Sequence, residues 1–303
     1  MSWVDTLLKP EYLYRPSQIW RRLVRPGGRR PALGEVLTPW GLPMTVRPQE
    51  TVGHALWHLG VLDLPAAEVL WRLLSSGSTA VDVGANIGFF TGLLARRAGP
   101  RGVVHAFEPH PEIFRDLAGH AQRWRSAGQP IARIVLHPCA ASSAAGVARL
   151  FEPAGFHGNQ GSASLEERSA ESGTSNAGGR AWDIPTVTLD AALSGAGAVD
   201  LLKVDVEGHE LSVFEGAGGL LRAGGIRDVV FEEHHGFPSP ATRFLADAGY
   251  HLFQIGREFD GPLLDPPTAS GHVPHWLPPN LLATRDPARA RAICAPRGWQ
   301  CLG

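Results

Sequence analysis

The chain has 303 residues, of which 44% are hydrophobic, and its formal net charge is −1. That composition supports one large core or two small ones, and the near-neutral charge argues against nucleic acid as a partner. No run of about 18 apolar residues predicts a membrane span, and the first residues do not resemble a signal peptide. Three scattered cysteines, Cys139, Cys294 and Cys301, indicate neither a disulfide framework nor a zinc site. These features favour a cytoplasmic enzyme.

From residue 64 onward, short apolar strands alternate with amphipathic helices. The predicted elements, in chain order, are helix 64–74, strand 79–84, helix 87–98, strand 101–109, helix 111–125, strand 131–139, strand 198–208, helix 209–224, strand 226–234, helix 239–249 and strands 250–256 and 279–285. Such alternation is typical of βαβ units with right-handed crossovers. It predicts an α/β fold with a doubly wound, mostly parallel Rossmann-like sheet.

Two segments depart from this alternation. Residues 1–63 precede it and are predicted to form an N-terminal extension and substrate-side cap on a catalytic domain of residues 64–303. Residues 153–182 are rich in Gly, Ser and Ala and poor in apolar periodicity, which predicts an inserted flexible loop that is mobile over 173–179.

The turn between the first predicted strand and its helix reads Asp82-x-Gly84-x-Asn86-x-Gly88, with Ala85 inside it. Small residues let the backbone approach a ligand closely, and asparagine tolerates a left-handed backbone. A dinucleotide fingerprint would need glycine where Asn86 and Phe89 stand. The spacing is instead that of a turn that binds S-adenosylmethionine.

Glu108 ends the second strand of this predicted domain, 20 residues after Gly88, and Pro109 follows it. A carboxylate at that place can accept hydrogen bonds from both ribose hydroxyls of a nucleoside cofactor. The alternative is that Glu108 only caps the helix that begins near His110. The combination of the glycine turn and this acid favours the ribose role.

Charged residues interrupt two further predicted strands near their carboxyl ends. Lys203, Asp205 and Glu207 share one face by the period-two rule, and Glu232 and His234 share a face of the next strand. We interpret Asp205 or His234 as a general base, with Glu207 and Glu232 orienting it or the substrate and Lys203 tuning the charge of Asp205. A structural ion pair with Lys203 and a divalent metal site remain alternatives, although no ligand spacing fixes a metal geometry.

Several ordered blocks of the chain resemble FkbM-type methyltransferases. They are VDVGANIGFFTGLLA, VHAFEPHPEIFRDL, VTLDAAL, VDLLKVDVEGHELSVFEGA, VVFEEHH and PNLLAT, between about residues 37 and 284. The resemblance implies a class I S-adenosylmethionine-dependent methyltransferase, usually one that methylates hydroxyls of sugars or natural products.

By the same resemblance, Asp82, Gly84, Asn86 and Gly88 form the cofactor turn, Glu108 is the ribose acid and Asp205 lies beside the transferred methyl. The family's acid for adenine is missing from PCAASSAAG, so backbone groups near Ala140 would take its place. The acceptor is expected to be a sugar, polyketide, peptide or lipid-linked glycan. A nicotinamide-dependent oxidoreductase and a non-catalytic binding module are the alternative functions.

Overall fold

The computed structural model describes residues 11, 31–152, 165, 180–267 and 279–302. Its strands are β1 (Gly34–Leu37), β2 (Pro43–Val46), β3 (Thr79–Val83), β4 (Val103–Phe107), β5 (Arg133–His137), β6 (Ala140–Ala141), β7 (Gly146–Phe151), β8 (Ala181–Val187), β9 (Val199–Val204), β10 (Ile226–Glu232), β11 (His251–Glu258), β12 (Gly261–Asp265) and β13 (Asn280–Thr284). Its helices are α1 (Thr51–Leu59), α2 (Leu64–Leu73), α3 (Phe89–Ala98), α4 (Pro111–Ser126), α5 (Leu189–Ala192), α6 (Glu210–Gly216), α7 (Gly218–Arg222), α8 (Pro240–Asp247) and α9 (Pro287–Cys294). None of these helices is both long and apolar enough to cross a bilayer.

Within the described residues, the main sheet has eight strands in the order β12-β11-β13-β10-β9-β3-β4-β5. The strands from β10 to β5 are parallel, whereas β13 pairs with β10 and β11 in antiparallel register. The α/β doubly wound sheet predicted from sequence is therefore confirmed. Parallel strands connected by helices end at one edge of the sheet, and that edge holds the site described below.

Adjacent residues of the central strands enter different cores, as expected for a sheet covered on both faces. In β9, Leu201 belongs to one hydrophobic cluster and Leu202 to the other, and both are fully buried. In β3, Ala80 and Val81 divide in the same way. Burying a leucine side chain contributes roughly 1.5–3 kcal/mol, so these pairs fix the position of the strands that carry the site.

The β1–β2 hairpin, which the sequence pattern did not predict, packs on the core of the sheet. Leu42 and Met44 are fully buried in the same cluster as α3. The Trp124 Nε1 of α4 donates a hydrogen bond of 2.7 Å to the carbonyl oxygen of Pro43. The Trp40 ring lies 5.0 Å from that of Phe89, at the start of α3. Residues 34–46 thus share a core with the sheet.

Three predicted segments differ from the structure in ways that change the path of the chain. Strand 198–208 ends at Val204, because the chain turns there and Glu207 has a left-handed φ of 52°. Helix 209–224 is divided at Ala217 into α6 and α7. The interrupting loop predicted over 153–182 ends earlier, since β8 begins at Ala181 and joins β6 and β7 in a separate three-stranded sheet. The mobility predicted for 173–179 lies outside the described residues.

Candidate active site

A cavity of about 280 Å³ lies at the carboxyl ends of β3, β4 and β9. Most of the site residues predicted from sequence line it, namely Gly84, Ala85, Asn86, Glu108, Pro109, Ala140, Lys203, Asp205, Glu207 and Glu232. We call it the larger cavity, because a smaller one of about 110 Å³ adjoins it. Asp82, Gly88 and His234 are not among its lining residues. Asp82 is fully buried behind it, and Gly88 begins α3.

The glycine turn has a left-handed backbone at the small residues and the asparagine that its sequence singles out. Gly84, Asn86 and Gly88 have φ values of 75°, 48° and 95°, in the region that glycine and asparagine tolerate best. The Asn86 side chain accepts a hydrogen bond of 2.7 Å from the backbone N–H of Ile87. A Cβ at Gly84 would overlap the carbonyl oxygen of Asp205. Glycine therefore lets the turn after β3 contact the turn after β9 directly.

Glu108 connects the glycine turn to the start of α4. One carboxylate oxygen accepts a hydrogen bond of 2.9 Å from the Asn86 N–H, and the other accepts one of 2.8 Å from the His110 N–H. The cap of α4 is His110, whose side chain accepts from the N–H groups of Glu112 and Ile113, so Glu108 supports the cap residue rather than capping the helix itself. The Glu108 carboxyl group also lines the larger cavity. Burial raises the pKa of Glu108 to about 7, against the opposing effect of its two backbone donors.

Lys203 lies between two carboxylates. Its Nζ is 3.3 Å from Asp82 and 3.3 Å from Asp205, and it donates a hydrogen bond of 3.3 Å to the Gly84 carbonyl oxygen. Burial disfavours its charge, but Asp82 and Asp205 outweigh that effect and raise the pKa of Lys203. The structural ion pair considered from sequence is present. It joins β3, the glycine turn and the turn after β9 through one ammonium group.

A second cavity of about 110 Å³, the smaller cavity, adjoins the larger one. Five residues line both, namely Leu62, Phe90, Lys203, Asp205 and Glu232. Glu232 is mostly buried, and burial followed by the neighbouring carboxylates of Asp205, Asp63 and Glu207 raises its pKa to about 8. The wall between the two cavities therefore carries a carboxylate paired with Lys203, Asp205, and a second carboxyl group, Glu232, whose pKa is raised.

Asp63 and Asn280 line the smaller cavity and were missed from sequence. Asp63 caps α2 by accepting a hydrogen bond of 3.3 Å from Ala66 N–H, and it also accepts one from the Asn280 side chain. Burial raises the pKa of Asp63 to about 6. Asn280 is opposite Glu232 in the β10–β13 register. Only that antiparallel pairing could have identified Asn280, and no local pattern indicates the direction of the strand.

His234 and Glu207 differ from their predicted positions. The His234 Nε2 is 3.2 Å from Glu232, but the imidazole is 45% exposed and lines neither cavity. Glu207 lines the larger cavity from a turn, so it does not share a strand face with Lys203. Within the described residues, no three His, Cys, Asp or Glu side chains are grouped to hold a metal ion. The absence of a metal requirement stays a prediction.

Residues 82–252 match the family model of the methyltransferase FkbM domain. The chain belongs to this family. It is therefore a class I S-adenosylmethionine-dependent methyltransferase, as its motifs predicted. The match to a methyltransferase family gives no support to the alternative of a nicotinamide-dependent oxidoreductase.

Curated relatives of this FkbM-domain protein are also methyltransferases. It is 28% identical over 237 residues to the hexuronic acid methyltransferase AglP of Haloferax volcanii, covering 76% of this chain and 85% of that protein. It is 30% identical over 202 residues to methyltransferase sdnD of Sordaria araneosa, covering 59% and 76%.

Solved structures similar to the FkbM-domain chain include a methyltransferase FkbM from Methylobacillus flagellatus. That match has a TM-score of 0.45 and 17% identity, and it covers 70% of this chain but only 44% of the solved one. Another is Aeropyrum pernix fibrillarin with bound S-adenosyl-L-methionine, with a TM-score of 0.40, 14% identity and coverage of 86% and 85%.

Proposed function

We propose that the chain transfers the methyl group of S-adenosylmethionine to a hydroxyl of a sugar or natural-product acceptor. The observation that carries this proposal is the wall shared by the two cavities, which presents Asp205 and Glu232 at the edge of the sheet. A neutral hydroxyl must lose its proton when it is methylated, and carboxylates are suitable acceptors for that proton.

The larger cavity has the chemistry that the cofactor needs. The glycine turn supplies close backbone approach, and Glu108 supplies a carboxylate at the end of β4 for ribose hydroxyls. Ile113, Cys139 and Leu150 provide an apolar wall. Bound S-adenosylmethionine would supply an already activated methyl group, so the protein's contribution is alignment and proton removal.

The acceptor side is formed by the smaller cavity and by residues before α2. Leu62 and Asp63 line the smaller cavity, and Thr51 and Val52 of α1 line the larger one. These contacts support the role of residues 1–63 as a substrate-side cap. Asp205, whose carboxylate lies 3.3 Å from the Lys203 Nζ, would orient the acceptor hydroxyl. The relative AglP is a hexuronic acid methyltransferase, which supports a sugar acceptor.

The test is methyl transfer from tritium-labelled S-adenosylmethionine to a panel of acceptors. The panel contains methyl glycosides of neutral hexoses and of hexuronic acids, a hydroxylated polyketide, a serine peptide and a lipid-linked glycan, with amine and thiol compounds as controls. We expect labelled methyl ethers, with the position of methylation assigned by NMR.

Two outcomes would contradict the proposal. Methylation of amines or thiols but of no hydroxyl would change the acceptor class. Tight binding of S-adenosylhomocysteine without transfer to any compound would favour the non-catalytic binding module.

A further inference from the structure

We propose that the acceptor's hydroxyl proton leaves the active site through Glu232 and then His234. This inference rests on the proposed function, because it assigns a path to the proton that O-methylation releases. Glu232 lines both cavities, whereas His234 lines neither and is 45% exposed. The His234 Nε2 lies 3.2 Å from Glu232 Oε1. The two side chains thus form a two-residue connection from the cavity wall to solvent.

The proton and electron balance of this step is complete. The acceptor oxygen forms the new C–O bond, and the C–S bond breaks with its electron pair remaining on sulfur. The hydroxyl proton moves to a carboxylate oxygen of Glu232. It then passes to the unprotonated Nε2 of His234, Nδ1 releases a proton to solvent, and tautomer exchange through solvent restores both groups.

Charged groups around Glu232 determine when it is available as a base. Asp63, just before α2, and Asp205 and Glu207, both in the turn after β9, disfavour its anion, whereas Lys203 favours it. With its pKa raised to about 8, Glu232 binds a proton more strongly than an ordinary carboxylate does. A base whose pKa lies close to the working pH is the most effective one.

Glu233 and His235 form a second Glu–His pair in the same segment, and this pair lines neither cavity. The His235 Nδ1 lies 3.3 Å from Glu233, and His235 is 66% exposed. Glu233 accepts hydrogen bonds from the His235 N–H and from Ser239, and it lines neither cavity. One Glu–His pair therefore connects the site to solvent, and its neighbour supports the turn before α8. His235→Asn is a control of the same chemistry in the same turn.

The first experiment needs neither cofactor nor acceptor. Carboxyl ¹³C NMR follows the titration of Glu232, and its signal is assigned by its loss in Glu232→Gln. The His234→Asn substitution removes the Nε2 contact, so the Glu232 anion loses a hydrogen-bond donor. The titration midpoint of Glu232 therefore moves to higher pH. His235→Asn leaves the midpoint unchanged. The same midpoint in the wild type and in His234→Asn would overturn the connection. Glu210, which also faces His234, is unaltered throughout.

The second experiment measures single turnovers with the methyl glycosides in weakly buffered solution. Glu232→Gln is expected to lose roughly 10²–10⁴-fold in rate, the usual contribution of a general base. His234→Asn should lose about tenfold, and added imidazole should restore it because the vacated place is open to solvent. The His235→Asn protein should match the wild type, with or without imidazole.

The outcomes separate the two proposals. Wild-type transfer together with an undiminished rate in Glu232→Gln, or a His234→Asn defect that imidazole does not restore, would overturn the proton path alone. Failure of the wild type to methylate any hydroxyl would overturn the proposed function, and the proton path with it. Melting temperature and S-adenosylhomocysteine binding of each variant show that a lost rate is not a lost fold.

Discussion

Glu108 offers the most direct test of how the cofactor is bound. In the structure its carboxylate accepts two backbone hydrogen bonds, from Asn86 and His110, and an ionised carboxylate has about four acceptor positions. Two positions therefore remain for the two ribose hydroxyls. A hydrogen bond to a charged group contributes about 1.5–3 kcal/mol, so Glu108→Gln should weaken S-adenosylhomocysteine binding by roughly tenfold to 150-fold.

Calorimetric titration can separate this contact from a general effect on the turn. A 2′,3′-dideoxyribose analogue of S-adenosylhomocysteine should bind the wild type and Glu108→Gln with similar affinity, because it lacks the hydroxyls. Glu112→Gln is the matched control, since Glu112 lies at the start of the same helix and pairs with Arg180 outside the cavity. Wild-type affinity should also rise with pH through about 7, as Glu108 ionises. Equal affinity of the natural ligand for the wild type and a folded Glu108→Gln protein would refute the ribose assignment.

Three further predictions concern the acidic wall. Asp205→Asn should lower turnover by roughly 10²-fold, as expected for a misoriented acceptor, while S-adenosylhomocysteine binding stays similar. The Asp205→Asn substitution should cost at most about 1 kcal/mol of stability, because Lys203 keeps Asp82 as a partner and Asp205 is 38% exposed. Early melting with normal turnover would show that Asp205 is a structural residue. Dialysis against a chelator should leave turnover intact, and a loss restored by magnesium or manganese would contradict this. Because folding raises the pKa of Glu232 from 4.5 to about 8, the folded state holds a proton that the unfolded chain releases, so stability falls as pH rises across that interval. Each pH unit between the two pKa values corresponds to about 1.4 kcal/mol of unfolding free energy, so Glu232→Gln should make this pH-dependent loss of stability smaller by a few kcal/mol. An equally steep fall of melting temperature with pH in the wild type and in Glu232→Gln would refute this prediction.

The sequence predicted much of the lining of the larger cavity, because local pattern determines it. The glycine turn needs small residues and left-handed backbone wherever it occurs, and Glu108 follows a short apolar strand at a fixed distance. Lys203 was recognisable for a different reason, since a lysine inside a buried strand must have partners. The partner Asp82 was on the same cofactor motif, but only the β3–β9 pairing shows that the two meet.

The smaller cavity was less predictable, because it depends on contacts between distant segments. Asp63 precedes the alternating pattern, and Asn280 is the first residue of a strand whose antiparallel direction no local signal indicates. The turn at Glu207 was missed because an alternating charge pattern resembles a strand until the backbone reverses. The exposed position of His234 was missed for a similar reason, because the predicted strand 226–234 in fact ends at Glu232.

The position of β13 has a consequence for how the protein is made. This strand lies between β10 and β11 in the sheet, although it follows both in the chain, so the β11–β12 hairpin has no place on the sheet until residues 280–284 have been synthesised. The strands that carry the glycine turn, Glu108 and Lys203 are all complete by residue 204. During translation the half that contains the glycine turn can therefore form first, and the half that contains Asn280 is added at the end, when β13 pairs with β10 and β11.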